Sequence, residues 1–247
     1  MIRITIHVAL IVALTALTQV GGLAWLAALY VQRRWIAFPL VYVALSLMAM
    51  VTAPVFGRVP VSCFRDGPLQ VQGVLYCAMN RTYVAPEVLR TAEDLARHMA
   101  AVHPGTVTLV LDAGFPFLDG FPLLPHLSHD DGRQIDLAFW YKARGTYLPG
   151  VTRSPLGYFA FEAGLTACSP VWATLRWDMA WLQPLWPGYD LDTERMRTAL
   201  DWLSEDARVT RVFLEPHLRK RLGVTGDKFR FQGCRAARHD DHIHFQL

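Results

Sequence analysis

Three histidines fall within the last nine residues, in the run His239-Asp240-Asp241-His242-Ile243-His244-Phe245-Gln246-Leu247. Imidazoles bind transition metals or pass protons near neutral pH, so such a cluster offers either chemistry. Along an extended strand, side chains two residues apart share a face, which sends His242 and His244 the same way. A second set lies upstream, in Pro125-His126-Leu127-Ser128-His129-Asp130-Asp131-Gly132-Arg133-Gln134-Ile135-Asp136. His129 and Asp136 offer one nitrogen and one oxygen donor. Catalytic zinc is held by three protein ligands of these kinds, with a fourth position left to water. Taken singly, each half has an ordinary account: a cluster of terminal histidines, and a solvent-exposed turn with chance H-x-x-G-x-x-x-D spacing.

Positioning these residues requires a framework of strands and helices. Pro86 suits a first helical position, and Val88, Leu89, Ala92, Leu95, Ala96 and Met99 recur at helical spacing until His103-Pro104-Gly105. Thr106 to Leu111 reads as a short buried strand, followed by a Gly- and Pro-rich loop from Ala113 to about His129. Further strands are predicted over Ile135–Tyr141, Val209–Leu214 and Asp241–Gln246, and an amphipathic helix over Leu191–Glu205. Mixed elements without regular alternation predict an α+β domain.

Joined, the two halves resemble a known arrangement. H-x-x-H-x-x-G-x-x-x-D, followed about a hundred residues later by H-D-D-H-x-H, is similar to the penicillin-insensitive murein endopeptidases. These belong to the lysostaphin, D-Ala-D-Ala metallopeptidase and hedgehog fold group. The resemblance covers roughly residues 107–247, including Val212-Phe213-Leu214-Glu215-Pro216. It implies an antiparallel-sheet peptidase domain with Zn2+ held by His129, Asp136 and His244, acting on peptidoglycan peptides. His242 would then stand beside the metal as general base. His126 and His239 match the remaining histidines of the pattern and would orient water, hydrogen-bond ligands or stabilise an oxyanion. No Glu stands at H-E-x-x-H spacing, so proton transfer falls to histidine.

The apolar content of 53% in 247 residues is concentrated at one end. No Asp, Glu, Lys or Arg occurs from Ile4 to Val31, nor from Trp35 to Gly57, and about 20 apolar residues suffice to span a bilayer. Two membrane helices are expected, with a signal peptide as the alternative for the first. Arg33 and Arg34 in the connecting loop predict a cytoplasmic turn, so both ends of the hairpin, with Arg3 and Arg58, would lie outside. The expected organisation is a transmembrane hairpin over 1–57, a linker or lead-in over 58–85 and a metallopeptidase domain over 86–247. That places the enzyme in the inner (cytoplasmic) membrane with an extracytoplasmic, periplasmic domain. Cys63, Cys77, Cys168 and Cys234 form no C-x-x-C pair; one or two disulfides are expected, with three complete pairings open, one of which closes a short loop through Cys63 and Cys77. The net charge of +3 and the short basic run Arg219-Lys220-Arg221 do not suggest nucleic-acid binding.

Two rivals stand beside the endopeptidase. One is a D,D-carboxypeptidase or dipeptidase acting on a free peptide end. The other is a non-catalytic zinc domain that binds wall peptides or regulates a membrane partner. His98, His103 and His217 are read as structural, and Asp130, Asp131, Asp240 and Asp241 as partners of the ligands or solvated charges. Arg133 is read mainly as a surface charge, with a substrate carboxylate as its alternative. Trp172, Trp177, Trp181 and Trp186 are expected to pack in the core or at a membrane surface, with a binding platform as the alternative.

Overall fold

In the computed structural model, residues 2–64, 66–166, 168–169 and 171–247 are described. The first apolar run is not one helix. Helix α1 (Ile2–Thr18) stops where Gln19 takes a φ of +64°, and α2 (Gly21–Ala28) folds back along it. The Thr15 and Thr18 hydroxyls donate to the carbonyls one turn earlier, and Thr18 Oγ accepts the Gly21 N–H at 2.8 Å. Gly21 and Gly22 permit the close approach: a Cβ on Gly22 would lie 1.9 Å from Thr15 Oγ. Across the break, Gln19 is held by the main chain of Phe117, donating at 2.6 Å and accepting at 2.9 Å.

After α2 the chain enters α3 (Arg34–Thr52), which a 3-10 turn extends to Phe56. This 23-residue run, Arg34–Phe56, is the one stretch among the described residues long and apolar enough to cross a membrane. The second predicted span is therefore present as a continuous helix; in place of the first stand the 17-residue α1 and the short α2. The expected hairpin geometry also changes. His7 of α1 packs on Trp25 and approaches Arg34, so the Arg3 end of α1 lies beside the Arg33–Arg34 turn and opposite Gln19.

Residues 58–85, expected as a linker or lead-in, contribute to the folded domain. Val59–Pro60 pairs with Tyr83–Val84, Cys63 is bonded to Cys77, and Leu69–Val71 forms the edge strand β1. The remaining strands of this sheet are β2 (Thr108–Val110), β3 (Gln134–Ala138), β4 (Arg211–Phe213), β5 (Phe229–Arg230) and β6 (His242–Gln246). Their spatial order is β5-β4-β6-β3-β2-β1.

The centre of the sheet is antiparallel, as expected, but its two outer pairs, β1/β2 and β4/β5, are parallel. Both parallel pairs are joined by crossovers, which parallel pairing requires. Helices α4 (Val74–Ala78) and α5 (Pro86–Val102) connect β1 to β2, while α6 (Thr193–Glu205) precedes β4 and α7 (Pro216–Leu222) links β4 to β5.

Strand periodicity divides the centre of the sheet. Ile135 and Leu137 of β3, with Ile243 and Phe245 of β6, are fully buried and join one core with Val88, Leu95 and Met99 of α5 and Met196 and Leu200 of α6. Each such side chain contributes roughly 1.5–3 kcal/mol by leaving water. The alternate residues Asp136, His242 and His244 take the other face. Above it lies the segment 151–189, whose described residues hold only one 3-10 turn, Gln183–Leu185, and which the Cys168–Cys234 bond ties to the loop after β5.

Candidate metal centre

The antiparallel register sets His244 directly across from Asp136 and His242 across from Ala138. Opposed residues in such a pair have neighbouring side chains, so β3 and β6 bring together residues separated by more than a hundred positions. The loop before β3 adds His129. Its Nδ1 lies 2.5 Å from the Ala113 carbonyl oxygen and donates to it, which leaves the Nε2 lone pair directed at the site. That nitrogen is 3.1 Å from Asp136 Oδ1 and 3.0 Å from His244 Nδ1, and His244 Nδ1 is 2.8 Å from the same carboxylate oxygen. Ligands about 2.0–2.1 Å from a tetrahedral zinc stand roughly 3.3 Å apart. The three donors are thus arranged slightly inside that spacing, and a metal ion fits them.

Gly132, the glycine of the first motif, explains part of the loop's shape. Its φ is +72°, and a Cβ there would lie 1.9 Å from the Arg58 guanidinium. Arg58 also pairs with Asp119, so the chain leaving α3 is tied to the loop that carries His126 and His129.

A second group converges on the other oxygen of Asp136. His126 Nδ1 lies 2.9 Å from Oδ2 and His242 Nε2 lies 3.6 Å from it. All five groups, His126, His129, Asp136, His242 and His244, are buried, and the two sets His129–Asp136–His244 and His126–Asp136–His242 each bring three donor atoms together. His239 borders the same cluster, its ring 4.9 Å from that of His242.

Burial and charge assign the protonation states. Burial disfavours the Asp136 carboxylate, but His129, His242, His126 and His244 outweigh it and hold the group well below the usual range. Burial pulls the His244 imidazole down to about 4, so it stays neutral and able to ligate. His239 is likewise lowered, by burial and then by His242 and His244. For His126 burial also acts downward, yet Asp136 and Asp112 raise it to about 10.

Several groups besides the histidines and Asp136 support these residues. Tyr158 donates to Asp136 Oδ2 at 2.7 Å and packs against both His126 and His242. Buried Asp112 faces His126 at 3.6 Å and is itself held by the bidentate guanidinium of Arg81. Asp241 accepts from His242 Nδ1 at 2.5 Å and from the Phe159 N–H, so it orients the ring and leaves Nε2 free. Of these, only Asp241 had a sequence signal, adjacency to His242. Tyr158 lies on an irregular segment and Arg81 and Asp112 lie outside both motifs, so only the folded chain brings them in.

The remaining expectations divide. Asp240 is buried against Arg238, whereas Asp130 and Asp131 are only partly covered. Arg133 donates to the Leu247 carbonyl at 3.2 Å and clasps the chain end instead of facing the histidines. Trp172 and Trp181 are exposed, Trp186 donates to Phe159, and Trp177 lines the depression beside the site. A cleft of about 400 Å³ borders His126, His239 and His244, with Leu175, Gln232 and Arg235 in its walls. A separate, much smaller pocket of about 20 Å³ shares Pro125, His126, Leu175 and Ala237 with it and is lined by Tyr158, Trp177 and His242.

Compared with known families and curated proteins, the chain matches no family model and no curated sequence.

Proposed function

We propose that this chain is a zinc metallopeptidase that hydrolyses peptide cross-links in peptidoglycan, with its domain held at the outer face of the inner membrane. The observation that carries the reading is the pairing of a three-donor metal set with an oriented, unengaged base: His242 Nε2 is buried without a hydrogen-bond partner while Asp241 holds Nδ1. Zinc, when bound, supplies a water of pKa about 7 and polarises the scissile carbonyl. His129, Asp136 and His244 hold it. His242 Nε2 takes the proton of the attacking water and returns it to the leaving amine. His126 borders the cleft, where it would donate to the oxygen on which negative charge develops. Neutral His239 lines the cleft and positions the substrate.

Two pockets that share His126 in their walls suit a cross-link, which continues beyond the scissile bond in both directions. Exposed Arg235 in the cleft wall favours a second reading, a D,D-carboxypeptidase whose substrate carboxylate it would capture. The α3 helix supports the membrane location. The positions of Arg3, Arg33 and Arg34 at one end of the helical segment, opposite the attached domain, support an outer domain by the excess of positive charge on cytoplasmic ends.

The test is mass spectrometry of cross-linked muropeptides treated with the full-length protein in detergent, as zinc-loaded, chelated and His129→Ala forms. Zinc-dependent conversion of dimers to monomers, absent in the variant, is the expected result. Release of terminal D-Ala alone establishes the carboxypeptidase, and unchanged peptides despite bound zinc overturn the enzymatic reading.

A further inference from the structure

Asp136 presents its two carboxylate oxygens to two different pairs of imidazoles. Oδ1 faces His129 and His244, while Oδ2 lies 2.9 Å from His126 Nδ1 and 3.6 Å from His242 Nε2. The two nitrogens on the Oδ2 side share a property: both are fully buried and neither makes a hydrogen bond. Buried polar atoms are nearly always satisfied, so two such nitrogens converging with one carboxylate oxygen into a group of three donor atoms mark a position for a missing partner. The polar group already on Oδ2 is the Tyr158 hydroxyl, 2.7 Å away, and a carboxylate oxygen retains a second lone pair.

We infer that His126, Asp136 Oδ2 and His242 form a second divalent-cation site, bridged to the first through Asp136, whose occupation by zinc silences the enzyme. The donors are of the types zinc prefers, and a bridging carboxylate is compatible with ions about 3.5–4 Å apart. Repulsion between two dications at that distance makes the second ion the weaker one. Asp112, already paired with Arg81, lies 3.6 Å from His126 Nδ1 and orients that ring. A metal on His242 Nε2 occupies the lone pair that accepts the proton of the water. The site therefore acts as a sensor of excess zinc: one equivalent activates, and a second removes the base.

This inference rests on the assignment of His129, Asp136 and His244 as the first metal set. It is tested by equilibrium dialysis of the full-length protein in detergent against increasing zinc, with elemental analysis, alongside cobalt(II) titration followed by visible absorption and hydrolysis rates across the same range. The expected result is two ions per chain in the wild type, two phases in the cobalt spectrum, and a rate that rises with the first equivalent and falls at least tenfold with the second. His126→Gln and His242→Gln should each bind one ion only, with a single cobalt phase. A wild type that binds a single ion at any zinc concentration overturns the inference while leaving the metallopeptidase reading standing. Two ions retained in both variants place the second elsewhere and also overturn it. Two ions without hydrolysis at any loading would uphold the site and overturn the peptidase reading with its regulatory consequence.

Discussion

His244 and Asp136 lie directly opposite each other across the β6/β3 pair, and His244 Nδ1 is 2.8 Å from Asp136 Oδ1. With His129 held by Ala113, this contact gathers the three donors proposed to hold the first metal. Asp136→Asn removes the negative charge and one ligand together. The variant is expected to lose zinc affinity beyond the roughly 10–100-fold typical of a residue that only supports a ligand. Competition with a chromogenic chelator checks it, and unchanged affinity would remove Asp136 from the metal set.

His242 is held by Asp241 and directs Nε2 toward the site. His242→Ala is expected to lower kcat by about 10²–10⁴-fold, the usual contribution of a positioned proton-transfer group, while the first zinc remains bound. Asp241→Asn should reduce kcat in the same direction by less, because the ring remains but its orientation is lost. Steady-state kinetics with parallel metal analysis separate these outcomes from simple loss of zinc.

Arg81 neutralises Asp112 in the interior beneath His126. Arg81→Met leaves a buried carboxylate unpaired and is expected to cost about 3–5 kcal/mol, read from denaturant unfolding. The pair also gives a pH dependence. Burial alone would raise the Asp112 carboxyl, but Arg81 and His126 lower it below its ordinary value of 3.8. Its contribution to stability is therefore complete above that value and is lost as the pH falls through the lower folded value. Arg81→Met should abolish this acid-side loss, so the gap in Tm between wild type and variant narrows below pH 4 or so.

Gln19 and Phe117 exchange two hydrogen bonds that fasten the α1/α2 turn to the loop leading toward His126. Gln19→Ala leaves the Phe117 main-chain groups unpaired and is expected to weaken local stability by about 1–3 kcal/mol. Hydrogen exchange at residues 115–120 measures it: faster exchange there with unchanged exchange in β3 is the expected pattern.

Gly132 has no room for a side chain beside Arg58 and adopts a positive φ. Gly132→Ala is expected to destabilise the protein by at least about 1–2 kcal/mol, the ordinary penalty of left-handed backbone, with displacement of Arg58 added. A lower Tm together with weaker zinc binding checks the connection of this turn to His129.

The sequence by itself determined the donor chemistry and much of the local structure. His242 and His244 had to share a face wherever β6 formed, since strand side chains alternate, and Ile243 and Phe245 had to take the opposite one. The helix from Pro86 and the helix ending at Glu205 were legible for the same kind of reason, a repeat of apolar residues at helical spacing. The mixed α+β composition followed from those elements.

Only the tertiary structure decided which residues meet. The register that sets His244 against Asp136, the arrival of Tyr158 and Arg81–Asp112 beneath the histidines, and the break at Gln19 all depend on contacts between distant parts of the chain. The parallel edges of the sheet depend on how α4, α5 and α7 cross between strands. Side-chain periodicity is a property of neighbouring residues and can be read along the chain. Pairing partners, and the protonation states they impose, exist only once folding has excluded water and brought the groups together.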